Sequence, residues 1–594
     1  MHKILYTICI ASVLILSASF GLAQTPNPSP EQTNQEELKS EIEKLKQMVK
    51  ALEDRLNAQD SKKPEQTTAV QTEEKKQTEE KIKELDRRVT KNERDGALQR
   101  VRFGGDYRFE AHSIKATLPA RYDGMKLQNL LVKSMFAMNI LGRPPMSVNE
   151  INQTVAGNYS NYQYFTSNLT FNQLKQAMAS FPAQMQQQLM GMLLPETFVP
   201  ETKANNDILY TNRFRLRLDT DVTENMHFSA RLSMYKTFGD STGVQVFNGQ
   251  PTSFNIDGTT AGVPNSDQLR VERAYFSWNK IGGSKFFLSI GRRPSTSGPP
   301  LQYREDEPRG GTPSGALIDY QFDGITFGYN LTDKTIFRIC YGLGYESGFG
   351  NGELLKMPQD RLKDVHFLGG NVDIWSTENT LVQATIARAF DVTDGFNGLV
   401  VLPNNPLTGE TVAAPVVMRF TPSSNLGSIN LAGLNVSHKF KHLDLFASAN
   451  YVGLRPNDVT TPFGGMMSDP FETPQKRDGG MIYLGVRYGF GADEKTKMGF
   501  EFNHGTKYWF NFAQAEDDII APKTNTRGEV YETYLTHRIT NRFILKGNYI
   551  YYNYRYSGSG WHIGAPKELT GTPILGFPTY KNAHVLSLST IVRF

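Results

Sequence analysis

The sequence is poor in cysteine, in long apolar runs and in the short motifs that mark enzymes. Its two cysteines are Cys9, inside an N-terminal apolar stretch, and Cys340. A disulfide framework and a cysteine-based zinc site are therefore excluded, and Cys340 reads as a small filler. The longest apolar run, residues 4–20, falls short of the roughly 20 residues of a spanning helix. It follows Met1-His2-Lys3 and ends in Gly21-Leu22-Ala23, before a polar, proline-rich stretch at 24–32. That order predicts a secretory signal peptide over 1–23, cut after Ala23. No other run comes near 20 residues and mean hydropathy is −0.43, which excludes helical membrane spans. Charged residues are only 21%, with a net charge of +4 that decides little. HExxH, GxxxxGK and GxSxG are all missing. No catalytic residue, metal ligand, cofactor or nucleic-acid partner is expected, and His537 and His584 read as wall residues of strands.

What the sequence does have is glycine and aromatics: Gly 51, Tyr 26 and Phe 36, a composition of many strands rather than stacked α/β domains. The last stretch, residues 582–594, reads NAHVLSLSTIVRF. His584, Leu586, Leu588, Thr590, Val592 and Phe594 share one side of an extended chain, and Ser587, Ser589 and Arg593 the other. A strand with one apolar face that stops on an aromatic resembles the assembly signal of bacterial outer-membrane β-barrels. Such a sheet cannot keep an open edge in lipid. A first strand must therefore exist to pair with it, and VRFGGDYRFE at 101–110 alternates in the required way.

Between these two ends, tight polar turns alternate with long segments. Short turns fall near 221–225, 281–283, 332–334, 377–379, 441–442, 492–494 and 540–541. Long segments fall near 111–207, 239–267, 294–321, 348–363, 392–426, 455–479, 508–526 and 557–581. The rhythm predicts an all-β fold, a 16-stranded antiparallel transmembrane β-barrel over 101–594, each strand needing only about 9 to 11 residues. An even strand number puts both barrel ends on the short-turn side. Trp278, Trp375, Tyr488, Phe490, Phe543 and Phe594 lie beside the short turns, as an interfacial aromatic girdle would.

Ahead of the barrel, Leu38, Ile42, Leu45, Val49, Leu52 and Leu56 step by four and three, a heptad seam that predicts a self-associating α-helical coiled coil. Residues 61–79 read as a flexible spacer. Ile82, Leu85 and Val89 resume the helical pattern out of phase, so 24–100 is expected to be a two-piece arm. The first long segment, 111–207, carries helical-looking runs at 123–139 and 172–194. It reads either as a small helical cap with its own core or as a plug in the barrel mouth.

Signal peptide, arm and barrel, with GRRPSTSGPP at 291–300 and FDGITFGYNLTDKTIFRICYG at 322–342, resemble an uncharacterised family of bacterial outer-membrane porins. The layout is more distantly similar to that of phosphate-selective porins. The resemblance implies a channel in the outer membrane of a Gram-negative bacterium and a homo-oligomer (a trimer), and says little about the cargo; the expected function is passive passage of small hydrophilic solutes, with the short-turn side and the arm in the periplasm. A structural or adhesive role, with the barrel as anchor for the coiled coil and external loops, is the alternative, and a periplasmic or cell-wall partner is a further expectation for the arm.

Lipid-facing arginine costs roughly 2 to 4 kcal/mol near the bilayer midplane, so the charged register of each strand must face the lumen. This rule makes Arg102, Arg108, Arg213, Arg215, Arg217, Arg231, Arg273, Arg293, Arg338, Arg487 and Glu501 the expected pore lining. Few acids are expected beside them, which predicts a lean toward anions. The third long segment, by its position in the order, is expected to fold inward and constrict the pore with Arg304, Glu305, Asp306, Glu307 and Arg309.

Overall fold

The computed structural model of the chain describes residues 46–51, 54, 81–88, 101–239, 264, 266–347, 354–357, 362–395, 398–404, 411–420, 422–513, 517–577 and 579–594. The chain divides into two units, Met1–Gly96 and Ala97–Phe594. In the first unit, residues 46–51 and 81–88 are helical and exposed. The signal-peptide segment and the seam positions Leu38, Ile42, Leu45, Leu52 and Leu56 lie outside the described residues.

The second unit is built on a closed barrel of sixteen strands, each hydrogen-bonded to its neighbours in chain order. In sequence they are β1 (Val101–Leu118), β2 (Thr202–Thr223), β3 (Met226–Thr237), β4 (Ser266–Trp278), β5 (Phe286–Arg292), β6 (Asp323–Asn330), β7 (Ile336–Tyr345) and β8 (Val365–Ser376). There follow β9 (Thr380–Thr393), β10 (Asn425–Phe440), β11 (Leu443–Pro456), β12 (Arg477–Phe490), β13 (Thr496–Gly505), β14 (Gly528–Arg538), β15 (Phe543–Tyr554) and β16 (Asn582–Arg593). All pairs are antiparallel, and β1 closes on β16 with Asp106 opposite Arg593 and Thr117 opposite Asn582. Phe594 extends the closure: its N–H donates to Gly105 O at 3.1 Å, and its carbonyl accepts from Gly105 N at 2.9 Å. A side chain at Gly105 would collide with the Phe594 ring, its Cβ falling 2.7 Å from the ring.

The wall is inverted relative to a water-soluble sheet. Along β16, Val585, Ser587, Ser589 and Ile591 are buried while His584, Leu586, Leu588 and Val592 are exposed. Elsewhere the outward register is likewise apolar and open, with Ile339 at 63% and Ile386 at 64% exposure, whereas Asp106, Arg108, Arg213, Arg215 and Asp373 are buried. An apolar belt outside a closed ladder of hydrogen bonds is what a bilayer requires of a strand protein.

The long first connection holds five helices, α1 (Gly124–Leu141), α2 (Val148–Gly157), α3 (Tyr159–Asn168), α4 (Phe171–Ser180) and α5 (Ala183–Leu193). Asp123 caps α1 by accepting from Met125 N and Lys126 N. Leu127, Leu131, Ile151, Leu189 and Leu193 form a core of their own, and Phe136, Val155 and Tyr162 a smaller one. The helices α2 and α3 fall in a stretch where the sequence suggested none, since its polar Asn, Gln, Tyr and Ser hide a narrow buried stripe. The segment is stitched to the last long loop by a small sheet in which Arg121–Asp123 pairs with Phe198–Val199 and with Ile574–Gly576.

Candidate functional site

A barrel of this strand number has an interior too wide for wall side chains alone to fill. Here the filling comes from the third and seventh long loops, residues 293–322 and 506–527. The third loop doubles back on itself: Gly310 N and Gly311 N donate to Ser297 O at 3.0 and 3.2 Å, and Thr312 N to Pro294 O at 3.3 Å. Only glycine fits the fold-back at 311, because a Cβ there would sit 2.4 Å from Thr296 O. At the tip, the one-turn helix α6 (Gln302–Glu305) ends in Asp306, whose φ of 46° swings the next residues across the lumen.

The tip is held by charge on nearly every side. Arg304 reaches Asp518 at 2.6 Å and Glu532 of β14 at 3.2 Å. Glu305 pairs with Lys546 of β15 at 2.8 Å and faces Arg108 of β1 at 3.7 Å. Asp306 meets Lys497 of β13 at 2.6 Å and Arg487 of β12 at 3.0 Å. Glu307 pairs with Arg215 of β2 at 2.6 Å. Arg309 meets Asp373 of β8 at 3.3 Å, which Arg338 of β7 also engages at 2.9 Å. Burial alone would raise the Glu305 carboxyl, but Lys546, Arg108 and Arg304 outweigh it and hold it well below the usual carboxylate range.

Most of the remaining wall residues are partnered as well. Asp106 accepts from Arg215 Nε at 2.7 Å and Arg213 Nη2 at 3.4 Å, and Arg108 pairs with Glu110 at 2.7 Å. Arg231 is clasped by Glu272 through both carboxylate oxygens. Arg273 donates to Gly310 O at 2.9 Å and Thr296 Oγ1 at 2.7 Å, and Arg293 to Ser289 Oγ at 3.2 Å. Arg487 pairs with Asp444 at 2.8 Å. Glu501 is buried against Tyr483 and Lys523. Arg102 and Arg217 lie towards the short-turn rim and are exposed, with Arg102 3.3 Å from Asp221.

Acids therefore accompany the arginines more closely than strand alternation alone implies. Glu272 is the instructive case. Strict alternation turns Arg273 inward and Glu272 outward, but the β3–β4 register shifts between Arg231/Arg273 and Leu232/Val271. The bulge brings Glu272 onto the lumenal side, where it is 4% exposed.

The seventh loop, which strand alternation and turn rhythm leave as an ordinary connection, supplies half the lock. Asp517 lies 2.5 Å from both Arg108 and Arg213, and Lys523 bridges Glu501 and Glu532. Its backbone joins the third loop, with Asp319 N donating to Phe512 O at 2.6 Å and Phe512 N to Leu317 O at 3.2 Å. The run Asp517-Asp518 with Lys523 and Arg527, all in one long loop, is the signal that could have pointed to it. On the other side of the lumen the filling is apolar: Leu301, Leu317 and Ile318 of the third loop pack with Phe367, Leu431, Phe446, Tyr483, Trp509 and Phe510. Tyr303 stacks on Phe446 with centroids 5.4 Å apart. Between the arginine side of the wall and the tip lies a cavity with about 70 Å³ of water-reachable room, edged by Arg213, Arg215, Arg231, Gln302 and Asp517.

Fold and site together define a closed, sixteen-stranded barrel with an apolar exterior and a lumen crossed by charged, interlocked loops. Residues 203–594 match the model of a family described as a protein of unknown function, DUF3373, and the chain belongs to that family. Among solved structures it is similar to an anion-selective porin from Comamonas acidovorans, at 9% identity over 83% of this chain and 99% of that one, with a TM-score of 0.38. Similar too are Pseudomonas putida OprB (12% identity, 84% and 96% covered, TM-score 0.36) and the outer-membrane channel DcaP of Acinetobacter baumannii (10%, 83% and 97%, TM-score 0.36). No curated protein sequence matches.

Proposed function

We propose that this protein is an outer-membrane channel for the passive diffusion of small hydrophilic solutes. The short-turn end, in this reading, faces the periplasm and the third and seventh loops set the aperture. The observation that carries the reading is the inverted wall, apolar outside and charged inside, with a charged loop drawn across the lumen rather than lying over its mouth. Residues 24–100 form the periplasmic arm and hold a homotrimer together. The lining residues named from the sequence act as a charge filter that leans the channel toward anions by raising their local concentration.

Single-channel recording in planar bilayers tests the first part. Deleting residues 295–311 is expected to raise conductance several-fold, and an unchanged conductance would return the loop to a structural role. For the second part, the reversal potential in a KCl gradient should indicate anion preference, and Arg213→Ser, Arg215→Ser and Arg217→Ser together should move it toward cations. Cation preference in the unaltered protein sinks the anion reading. The apolar filling of half the lumen favours a second reading, a barrel that anchors its loops and arm. Absence of any conductance, in the full chain and in the deletion alike, selects it.

A further inference from the structure

The cavity between the arginine side of the wall and the third-loop tip is lined by charges that already have partners. Arg213 donates to Asp517 at 2.5 Å, Arg215 to Glu307 at 2.6 Å, and Arg231 to both carboxylate oxygens of Glu272. These three arginines are at most 8% exposed. Arg304 and Glu305 of the tip are likewise engaged, by Asp518 and Lys546. An anion seated here would have to displace a fixed carboxylate and leave it buried without its cation, which is costly. A zwitterion would have to open a pair at each end. A hydrated ion can still be biased by the summed field of the wall as it passes, but it gains no seat.

Hydrogen-bonding capacity, by contrast, is left over. Arg213 lines the cavity, is 8% exposed, and its Nε has no hydrogen-bond partner among the described residues. Gln302 Oε1 of the third loop and Asp517 Oδ1 of the seventh, both in the lining, lack one as well. Buried polar atoms are normally satisfied, so one donor and two acceptors facing a single space point to a guest that supplies their partners. Leu301 and Pro308 place apolar surface in the same lining. Hydroxyl groups both donate and accept, and a carbon skeleton that carries several of them presents C–H surface between them. Water would satisfy the polar atoms and leave Leu301 and Pro308 unmatched.

We infer that this cavity is a subsite for a neutral polyhydroxylated solute, a monosaccharide or sugar alcohol, hydrogen-bonded to Arg213, Gln302 and Asp517 while the ion pairs behind them stay closed. The pairs hold the donor and the acceptors in place, so little order is lost when the solute arrives. The inference deepens the channel reading and rests on it, since it names a solute class for the same aperture.

The test is saturation-transfer NMR on the full-length protein in detergent, which reads binding without requiring conduction. The probes are D-glucose, D-gluconate, which adds a negative charge to the same kind of skeleton, and glycine, a small zwitterion. Glucose should give a saturable signal, gluconate no stronger one, and glycine none. Gln302→Leu removes an acceptor and leaves every ion pair in place, and it should weaken glucose binding at least three-fold. If that variant does not fold, Ser233→Ala, at another lining position, carries the same expectation at smaller size. Absence of a saturable glucose signal overturns the subsite and leaves the cavity to water. Tighter binding of gluconate or of glycine overturns it in favour of a charged ligand, and equal glucose binding by altered and unaltered protein places the sugar elsewhere. Conductance in planar bilayers is read in parallel. Conductance without glucose binding overturns this inference alone, whereas glucose binding without conductance overturns the channel reading and leaves the subsite standing.

Discussion

One loop fills two halves of the lumen by opposite means. Its tip, residues 302–309, is pinned by ion pairs to β1–β2, β8 and β12–β15, while its return arm, residues 316–320, is embedded in an apolar core against β8–β12. The difference is in what each can do. An apolar core is non-directional and excludes water, so it fixes the arm without defining a path. Charged contacts are directional and costly to leave unpaired, so they fix the tip in register with the wall, beside the polar cavity edged by Arg213, Arg215 and Arg231.

The largest expected break in this comparison is on the charged side. Lys523 is 0% exposed and bridges Glu501 and Glu532. Lys523→Met leaves Glu501 without its cation, and removing one partner of a buried pair costs about 3–5 kcal/mol. Thermal unfolding in detergent should show a strongly lowered midpoint, and adding Glu501→Gln should recover much of it. No change in the midpoint would mean that the bridge is hydrated rather than buried.

On the apolar side, Leu317 is also 0% exposed. Leu317→Ala should cost about 3 kcal/mol, from lost transfer energy and the cavity left behind. The change should be nearly independent of salt and should leave the reversal potential where it was. A salt-dependent loss, or a shift in selectivity, would join the two halves into one unit.

How much of this is readable in the sequence follows the same division. Alternation and turn rhythm are local properties, so the strand number and the lengths of the turns are legible in the residue order alone. The inward side of Arg213 and Arg215 is legible for that reason too. Glu272 is not, because its direction depends on a bulge in the pairing of two strands, which is a non-local fact. The role of the seventh loop is hidden likewise: Asp517 and Asp518 meet Arg108 and Arg304 only once the barrel has closed. The helices of the first connection are half legible, since α2 and α3 bury few residues each and their polar stretch has no clear period.

Asp319 joins the two halves and gives the smallest and sharpest test. It belongs to the apolar return arm, is 2% exposed, and accepts from Ser297 N of the descending arm at 2.5 Å. Burial pushes its carboxyl up to about 7, against the pull of the Ser297 N–H and of Arg273. An acid whose folded value is raised binds its proton more tightly when folded than when unfolded. Its penalty is therefore absent at low pH and grows as pH rises from the ordinary carboxylate range toward 7. Between pH 6 and pH 8 the loss should be about 1 kcal/mol. The unfolding midpoint should fall over that interval, and Asp319→Asn should flatten the fall while leaving stability below the ordinary carboxylate range nearly unchanged. A midpoint that rises with pH would mean instead that Asp319 is held ionised by Arg273 and belongs with the charged half of the lumen.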